Sequence, residues 1–265
     1  MALDATSSDN RTSAVFSVVA PAWNEERYIG AFLDRVSRYL ESTGTSWEIL
    51  VVDDGSSDRT AEIVEVWASK DRRIRALRTP HGGKGAAIRA GMLAARGDWR
   101  FMADTDLSVE PEGWEVFLAA TRQSPPADVV IGSREAAGAQ RVGEPLLRHL
   151  IGRVFNWVVQ LSVLPGIRDT QCGFKLFSRD ASALFGTLTV EGFAFDVELL
   201  SLARCSGLTI REVPVVWIAR RDSRVRLSRG AAAFAEVVHI GWRHRFMRRG
   251  TLTKRDKRPT MSHLP

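Results

Sequence analysis

The sequence predicts an α/β fold built on a mostly parallel, doubly wound sheet. Two observations carry that expectation. Apolar, β-branched runs alternate with stretches of helical period through the first half of the chain. Each run also ends abruptly at polar or acidic residues, at a spacing that leaves room for one crossover helix before the next.

The first run lies in "VFSVVAPAWNEE", ends at a proline, and leads into "ERYIGAFLDRVSRYLEST", whose apolar residues recur near helical spacing. "WEILVVDDGSSDRTAEIVEVWASK" repeats the design as strand, polar turn and helix, with Ser57 or Asp58 expected as the N-cap. "IRALRTP" reads as a third strand, and "GGKGAAIRAGMLAARG" as a glycine loop opening a helix. "WRFMADTD" is the fourth strand and "DVVIGSR" the fifth. The turns that follow these strands collect on the carboxyl-end edge of the sheet, where open α/β folds bind their ligands.

After residue 135 the pattern changes. "EAAGAQRVGEP" is loop-like and rich in small residues, and is expected to be a mobile segment near the site. A long helix is expected over Leu146–Leu164, followed by "GIRDTQCGFKLFSRD", a second helical stretch, and a late strand in "LTIREVPVVWIAR". A final helix in "SRGAAAFAEVVHIGWRHRFMRRG" would set Phe234, Val237, Val238, Gly241 and Trp242 on one face. The expected organisation is a disordered lead-in over 1–13, one α/β domain over 14–228, a basic amphipathic helix over 229–249 and a disordered tail over 250–265.

Composition narrows the functional class. At 265 residues and 45% apolar content the chain can bury a substantial core. Cys172 and Cys205 form neither a disulfide framework nor metal-ligand spacing, which fits a reduced, cytoplasmic setting. The opening "MALDATSSDNRTSA" lacks the apolar core of a signal peptide. No stretch reaches the ~20 apolar residues that span a bilayer. The net charge of +6 is unevenly spread: residues 218–258 hold 13 Lys and Arg against 3 Asp and Glu, a balance of +10, so the rest sums to −4. That asymmetry points to an anionic surface as partner, or simply to a solubilising tail. A nucleic-acid-binding module would use the basic region, but would have no need of the acids that end the strands.

Those acids carry the chemistry. Asp53 and Asp54 end the second strand; Asp104 and Asp106 end the fourth. Buried and unpaired, such charges are costly, so a cation or water must meet them. A carboxylate pair can accept hydrogen bonds from a sugar or base, or hold Mg2+ or Mn2+, hard cations that prefer oxygen ligands. "HGGKGAAIRAG" lacks the glycine spacing of a P-loop, yet glycines at a helix start expose N–H groups suited to an anion or a nucleotide. A dinucleotide-binding motif is disfavoured because the first strand ends in "PAWNEE" rather than in spaced glycines. A sugar-phosphate nucleotidyltransferase is disfavoured likewise, since its glycine-rich signature belongs at that same place.

The motifs "VVAPAWNEE", "VVDDGSSDRT", "GGKGAAIRAGM", "ADTDLS" and "GSR" occur in the order found in inverting glycosyltransferases of family 2, which have the GT-A fold. The resemblance covers roughly residues 14–220. The later "DTQCGFKLF" and "GFAFDVELL" resemble the dolichyl- or polyprenyl-phosphate glucosyltransferases within that family. The resemblance implies that Pro21, Ala22, Asn24 and Glu26 line the nucleotide pocket, that Asp53 and Asp54 face uracil and ribose, and that Lys84, Gly85 and Ala103 sit beside the nucleotide sugar. It also implies that Asp104 and Asp106 hold the divalent cation on the diphosphate. Trp23 stands where relatives often have tyrosine, and Gly152 where some have a serine that touches phosphate.

On the acceptor side, a sugar hydroxyl would require a general base, whereas a polyprenyl phosphate oxygen is already anionic near neutral pH. It needs cations to position it, and Arg134 and Arg148 resemble the arginines that clamp the acceptor phosphate in these relatives. Asp169 is implied as a base or an orienting group; an ion pair with Lys175 or a helix cap is the alternative. Phe193 and Phe195 read as core, while Asp196 and Glu198 either line the sugar pocket or cap a helix. The expected reaction moves glucose from UDP-glucose to a polyprenyl phosphate, with the protein on the inner face of the membrane as a peripheral enzyme. A GDP-mannose donor, or a soluble or polysaccharide acceptor, is the alternative. The expected contact with anionic lipid is the basic C-terminal helix, either through its apolar stripe or, with the stripe packed on the domain core, through its arginines alone.

Overall fold

The computed structural model describes residues 16–190, 192, 194–219, 236, 237 and 240. The first five strands are β1 (Phe16–Ala22), β2 (Trp47–Asp53), β3 (Ile74–Arg78), β4 (Trp99–Met102) and β5 (Val129–Ser133). The helices between them are α1 (Ile29–Ser42), α2 (Thr60–Lys70), α3 (Lys84–Ala94) and α4 (Glu115–Arg122). There follow β6 (Gln140–Val142), α5 (Leu146–Ser162), β7 (Lys175–Ser178), α6 (Arg179–Ala183), α7 (Phe195–Cys205), β8 (Ile210–Pro214) and β9 (Val216–Ile218). Among the described residues the main sheet has seven strands in the order β3-β2-β1-β4-β7-β5-β8, and β6 pairs with β9 in a small second sheet. All strands of the main sheet run in one direction except β7, which is antiparallel to both of its neighbours.

The strand sequences explain the layering. Successive side chains of a strand point to opposite faces. Val18 and Ala20 of β1 therefore join Ile49 and Val51 of β2 beneath α1, which buries Ile29, Phe32, Leu33, Val36 and Leu40 at helical spacing. Val19, Leu50 and Val52 face the other way, toward Ile88 and Met92 of α3. α3 lies close against the sheet because Gly91 has no side chain: a Cβ there would come within 2.5 Å of Val19 and 2.6 Å of Val52.

Three expectations change, and one alternative is narrowed. The segment after residue 135, expected to be mobile, contributes β6 and is tied down by ion pairs. Arg141 reaches Glu135 at 2.5 Å and also bonds Glu144, while Arg153 reaches Glu135 at 2.6 Å. Within "GIRDTQCGFKLFSRD" lies β7, which the sequence does not reveal because its first buried residue is a lysine. α2 begins at Thr60 with Arg59 in the N-cap position; Asp58 Oδ1 accepts from the Thr60 N–H at 2.9 Å. Of the expected C-terminal helix, only residues 236, 237 and 240 are described; Val237 and Ile240 pack into the core, in line with the alternative in which the apolar stripe rests on the domain. Phe234, Val238, Gly241 and Trp242 lie outside the described residues, as do the segments 1–13 and 250–265.

Gly91→Ala should test the close approach of α3. Alanine would favour an exposed helix by about 1 kcal/mol. Here the clash with Val19 and Val52 should reverse the sign and cost about 1–3 kcal/mol. The expected result is a melting temperature lowered by roughly 2–10 °C. An unchanged or raised value would show that the helix can shift without cost.

Candidate active site

The carboxyl-end edge of the sheet gathers almost every residue singled out in the sequence. Asn24, at φ 55°, follows β1 and joins its loop to that of β2. Its Oδ1 accepts from the Ser57 N–H at 2.8 Å, and its own N–H donates to Ser56 Oγ at 2.9 Å. Glu26 extends the seam, with Oε2 accepting from the Arg59 N–H at 3.2 Å. Ala22 is buried, and Pro21 is partly so. These residues therefore shape the wall between two loops.

Asp53 and Asp54 are both buried and act differently. Asp53 Oδ1 accepts from the Ser56 N–H at 3.1 Å. Asp54 accepts from the N–H groups of Gly82 and Gly83 at 2.8 and 2.9 Å. This corrects one expectation: the glycine N–H groups before α3 serve an internal carboxylate, so they are not a vacant anion cradle. The same carboxylate meets His81 Nδ1 at 2.9 Å, and the His81 ring stacks on Trp23, with centroids 4.8 Å apart. The reading of the sequence missed His81. Its place directly before the glycines was the available signal.

Lys84, the first residue of α3, reaches across to β4 and meets Asp104 Oδ1 at 2.6 Å. Desolvation pushes the lysine pKa down, but Asp104, Asp196 and Asp106 together raise it above the ordinary value. Asp106 is shifted upward by burial and by its neighbour Asp104, against the Ser108 N–H, which donates to its Oδ1 at 2.9 Å. Ala103 is buried and keyed to β1 through its N–H on the Val19 carbonyl, at 3.0 Å. Gly85 is buried inside the first turn of α3.

The reversed direction of β7 brings the preceding loop, residues 169–174, to this same edge. Its Gly173 lies so close to Asp104 that a Cβ would sit 1.9 Å from Oδ2. At the other end of the loop, fully buried Asp169 holds Arg134 in a fork: Nε to Oδ2 at 2.7 Å and Nη2 to Oδ1 at 2.9 Å. The Arg134 N–H adds a third bond at 3.0 Å, and its guanidinium lies 5.4 Å from the centre of the Trp217 ring. Burial would raise the Asp169 pKa, but the guanidinium and the backbone bond hold it down at about 2. Arg134 is raised in turn, against its own desolvation.

Lys175 does not bond Asp169. It is buried and donates to Asp196 Oδ1 at 2.6 Å and to the Cys172 carbonyl at 2.5 Å. Burial raises the Asp196 pKa against the pull of Lys175. Glu198 accepts from the Thr189 and Val190 N–H groups at 2.9 and 2.8 Å, so it orders the segment before α7. Phe195 is core, while Phe193 lies outside the described residues. Arg148 lies in the first turn of α5, and its side chain is outside the described set. Gly152 sits on the exposed side of that helix.

Among the described residues no group of three or more His, Cys, Asp or Glu forms a metal cage. Asp104 and Asp106 nevertheless fit a Mg2+ or Mn2+ ion. They are two half-buried hard oxygen donors at one strand end, the negative charge of Asp104 raising the pKa of Asp106, and such ions keep positions for water and phosphate oxygens.

Three comparisons bear on this site. The sequence model of glycosyl transferase family 2 matches residues 17–185. The dolichyl-phosphate beta-glucosyltransferase ALG5C of Trichomonas vaginalis is 37% identical over 253 residues, covering 91% of this chain and 74% of its own. The dolichyl-phosphate beta-glucosyltransferase of Homo sapiens is 34% identical over 223 residues, 79% of this chain and 69% of its own. Among solved structures, glucosyl-3-phosphoglycerate synthase of Mycobacterium tuberculosis, in complex with Mn2+, UDP-glucose and phosphoglyceric acid, superposes with a TM-score of 0.63. That alignment covers 88% of this chain and 80% of the other at 19% identity, a likeness of fold, which is the GT-A fold. With its strand-end acids, its GT-A sheet and these relatives, the chain belongs to glycosyl transferase family 2 and is a glycosyltransferase.

Proposed function

We propose that this enzyme transfers glucose from UDP-glucose to a polyprenyl phosphate of the dolichyl type, with inversion at the sugar carbon. The names of the relatives support the acceptor and the sugar, and the synthase complex supports the donor. One observation carries the reading: a single loop, 169–174, abuts the Asp104 carboxylate through Gly173 and holds Arg134 through Asp169. A donor diphosphate and an acceptor phosphate bound at its two ends would face each other.

In this reading the acceptor phosphate oxygen attacks the anomeric carbon from the face opposite the diphosphate. The new C–O bond forms as the bond to the diphosphate breaks, and the electron pair leaves with UDP. A cation held by Asp104 and Asp106 would supply charge stabilisation for the leaving diphosphate. Lys84, already on Asp104, is placed to share that task. The loop wall of Asn24 and Glu26, with the Trp23–His81 stack and Asp53 and Asp54 behind it, suits the nucleoside. No proton has to be removed from an anionic phosphate. A carboxylate with a pKa of about 2, bound twice by a guanidinium, is a poor base, so the geometry supports an orienting role for Asp169. Arg134 keeps part of its side chain exposed and would meet the acceptor phosphate. Arg148 is proposed beside it from the resemblance alone.

Asp104→Asn and Asp106→Asn should each lower transfer about a hundredfold or more, with little change in melting temperature. Assay with UDP-glucose and a short-chain polyprenyl phosphate, set beside Mn2+-dependent thermal shifts by UDP, would decide. Near-normal turnover in either variant would remove the cation assignment. A parallel screen with GDP-mannose tests the donor, since stabilisation by that compound alone would reverse the choice.

Arg134→Ala should raise the KM for acceptor about tenfold or more, the loss expected for one charge-assisted phosphate contact, while UDP-glucose affinity stays within about twofold. Equal losses on both sides would put Arg134 in the donor pocket.

Asp169 has its own pH signature. Its pKa is lowered on folding from 3.8 to about 2, so its contribution to stability is complete above about pH 4 and is lost as pH falls through 2. Asp169→Asn should therefore destabilise the fold near neutrality and flatten the decline in stability between pH 4 and 2. Parallel acid-unfolding curves for the two proteins would contradict the pairing.

A further inference from the structure

α7 begins without a cap of its own. Ala194 holds the N-cap position, where a Ser, Thr, Asp or Asn side chain would serve, and its methyl can accept nothing. In a capping box a glutamate three residues on takes the N-cap N–H, but that position here is Val197. The acceptor comes instead from 42 residues further along the chain: Glu236 Oε2 receives the Ala194 N–H at 3.3 Å. The same carboxylate lies so close to Gly192 that a Cβ there would sit 2.6 Å from Oε1 and 2.9 Å from Oε2. Val237 and Ile240 are buried in the core layer that includes Phe195, Val197 and Leu200 of α7. Glu236 is also the one Asp or Glu between residues 223 and 255, in the basic stretch of the chain. The backbone dipoles at a helix start favour a negative charge there.

We infer that Glu236 is a positioning residue for the transfer reaction: the C-terminal stretch completes the active site by fixing the start of α7. Two acids of that first turn reach the site. Asp196 holds Lys175, and with it the loop 169–174, and its charge also acts on Lys84 at the start of α3. Glu198 holds the N–H groups of Thr189 and Val190. Leu188 and Val190 line a cavity of about 320 Å3 together with Gly85 and Ala86, the residues after Lys84. The chain entering α7 is therefore held by two carboxylates, Glu198 from within the helix and Glu236 from the C-terminal stretch. Ala194 is buried, so loss of Glu236 would leave its N–H without an acceptor, and the turn should relax toward water. Misplacing a reacting group by about 1 Å can cost on the order of a hundredfold in rate. The inference rests on the proposed parts of Lys84 and the loop 169–174 in transfer, and on no particular donor base.

The test compares Glu236→Ala, Glu236→Gln, Gly192→Ala and the double variant Glu236→Ala with Gly192→Ala, each in the full chain and at a temperature where it is folded. Turnover is measured with UDP-glucose and a water-soluble short-chain polyprenyl phosphate, and divided by the number of UDP-binding sites found by titration. Hydrogen exchange at the amides of Thr189, Val190 and Ala194 reads the clamp with no substrate present. Glu236→Ala should lower kcat about tenfold, with the KM for either substrate within about twofold of the parent. Exchange at those amides should become about tenfold faster or more. Glu236→Gln keeps an oxygen that can accept from Ala194, so kcat should return to within about threefold of the parent. Gly192→Ala pushes the flexible carboxylate aside, so it should mimic Glu236→Ala and add little to it in the double variant. Unchanged kcat or unchanged exchange in Glu236→Ala would overturn the inference, as would losses that multiply in the double variant. A lowered melting temperature with normal turnover per binding site would overturn it too, by reducing Glu236 to a structural contact. If the parent transfers no glucose from UDP-glucose, the donor reading fails instead. The same variants are then judged by exchange and by turnover with the nucleotide sugar that the parent does use.

Discussion

The site depends on one buried ion pair, Lys175 with Asp196. Lys175 opens β7 with no exposure at all, and its ammonium is satisfied by Asp196 and by the Cys172 carbonyl. A lone charge at such depth costs several kcal/mol, so the strand can lie there only while α7 supplies the carboxylate. With β7 so placed, running against β4 and β5, the loop before it must arrive at the carboxyl-end edge. That arrival puts Gly173 against Asp104 and Asp169 against Arg134. An all-parallel sheet would have sent the same loop to the opposite edge.

The acids gathered at this edge, three at strand ends and Asp169 in the loop before β7, then divide by partner rather than by type. Asp54 is bound by two backbone N–H groups and His81, so its work is to close the glycine turn and present Lys84 at the start of α3. Asp104 has a lysine on one side and bare backbone on the other, and Asp106 lies half-buried beside it. Asp169 is neutralised by a fork of hydrogen bonds and keeps its charge far into acid. One is a structural brace, two are the donors proposed for a hard cation, and one is held in a fork by a guanidinium. A carboxylate's surroundings decide which of these it becomes.

α5 extends this logic to the surface. Its inner face is needed to hold Thr170, and hence the loop, whereas nothing among the described residues covers its outer face. A single helix thereby links the order of the loop that holds Arg134 to whatever its apolar outer face touches.

The sequence by itself determined the sheet's direction, the α/β alternation and the acids at the strand ends. These are local properties: β-branched runs such as "EILVVDD" and the helical spacing of Ile29, Phe32, Leu33 and Val36 act over a few residues. Tertiary structure alone decided the pairings. Lys175 reads as a solvated charge until Asp196, 21 residues on, is folded against it. Arg134 and Asp169 are 35 residues apart, and Asp54 lies 28 and 29 residues before the glycines it binds. The exposure of α5 was hidden for the same reason: an apolar stripe has the same spacing whether it packs on a core or faces outward. Only the other helix faces, already filled by Phe155, Val159, Val237 and Ile240, leave Leu150 and Trp157 outside.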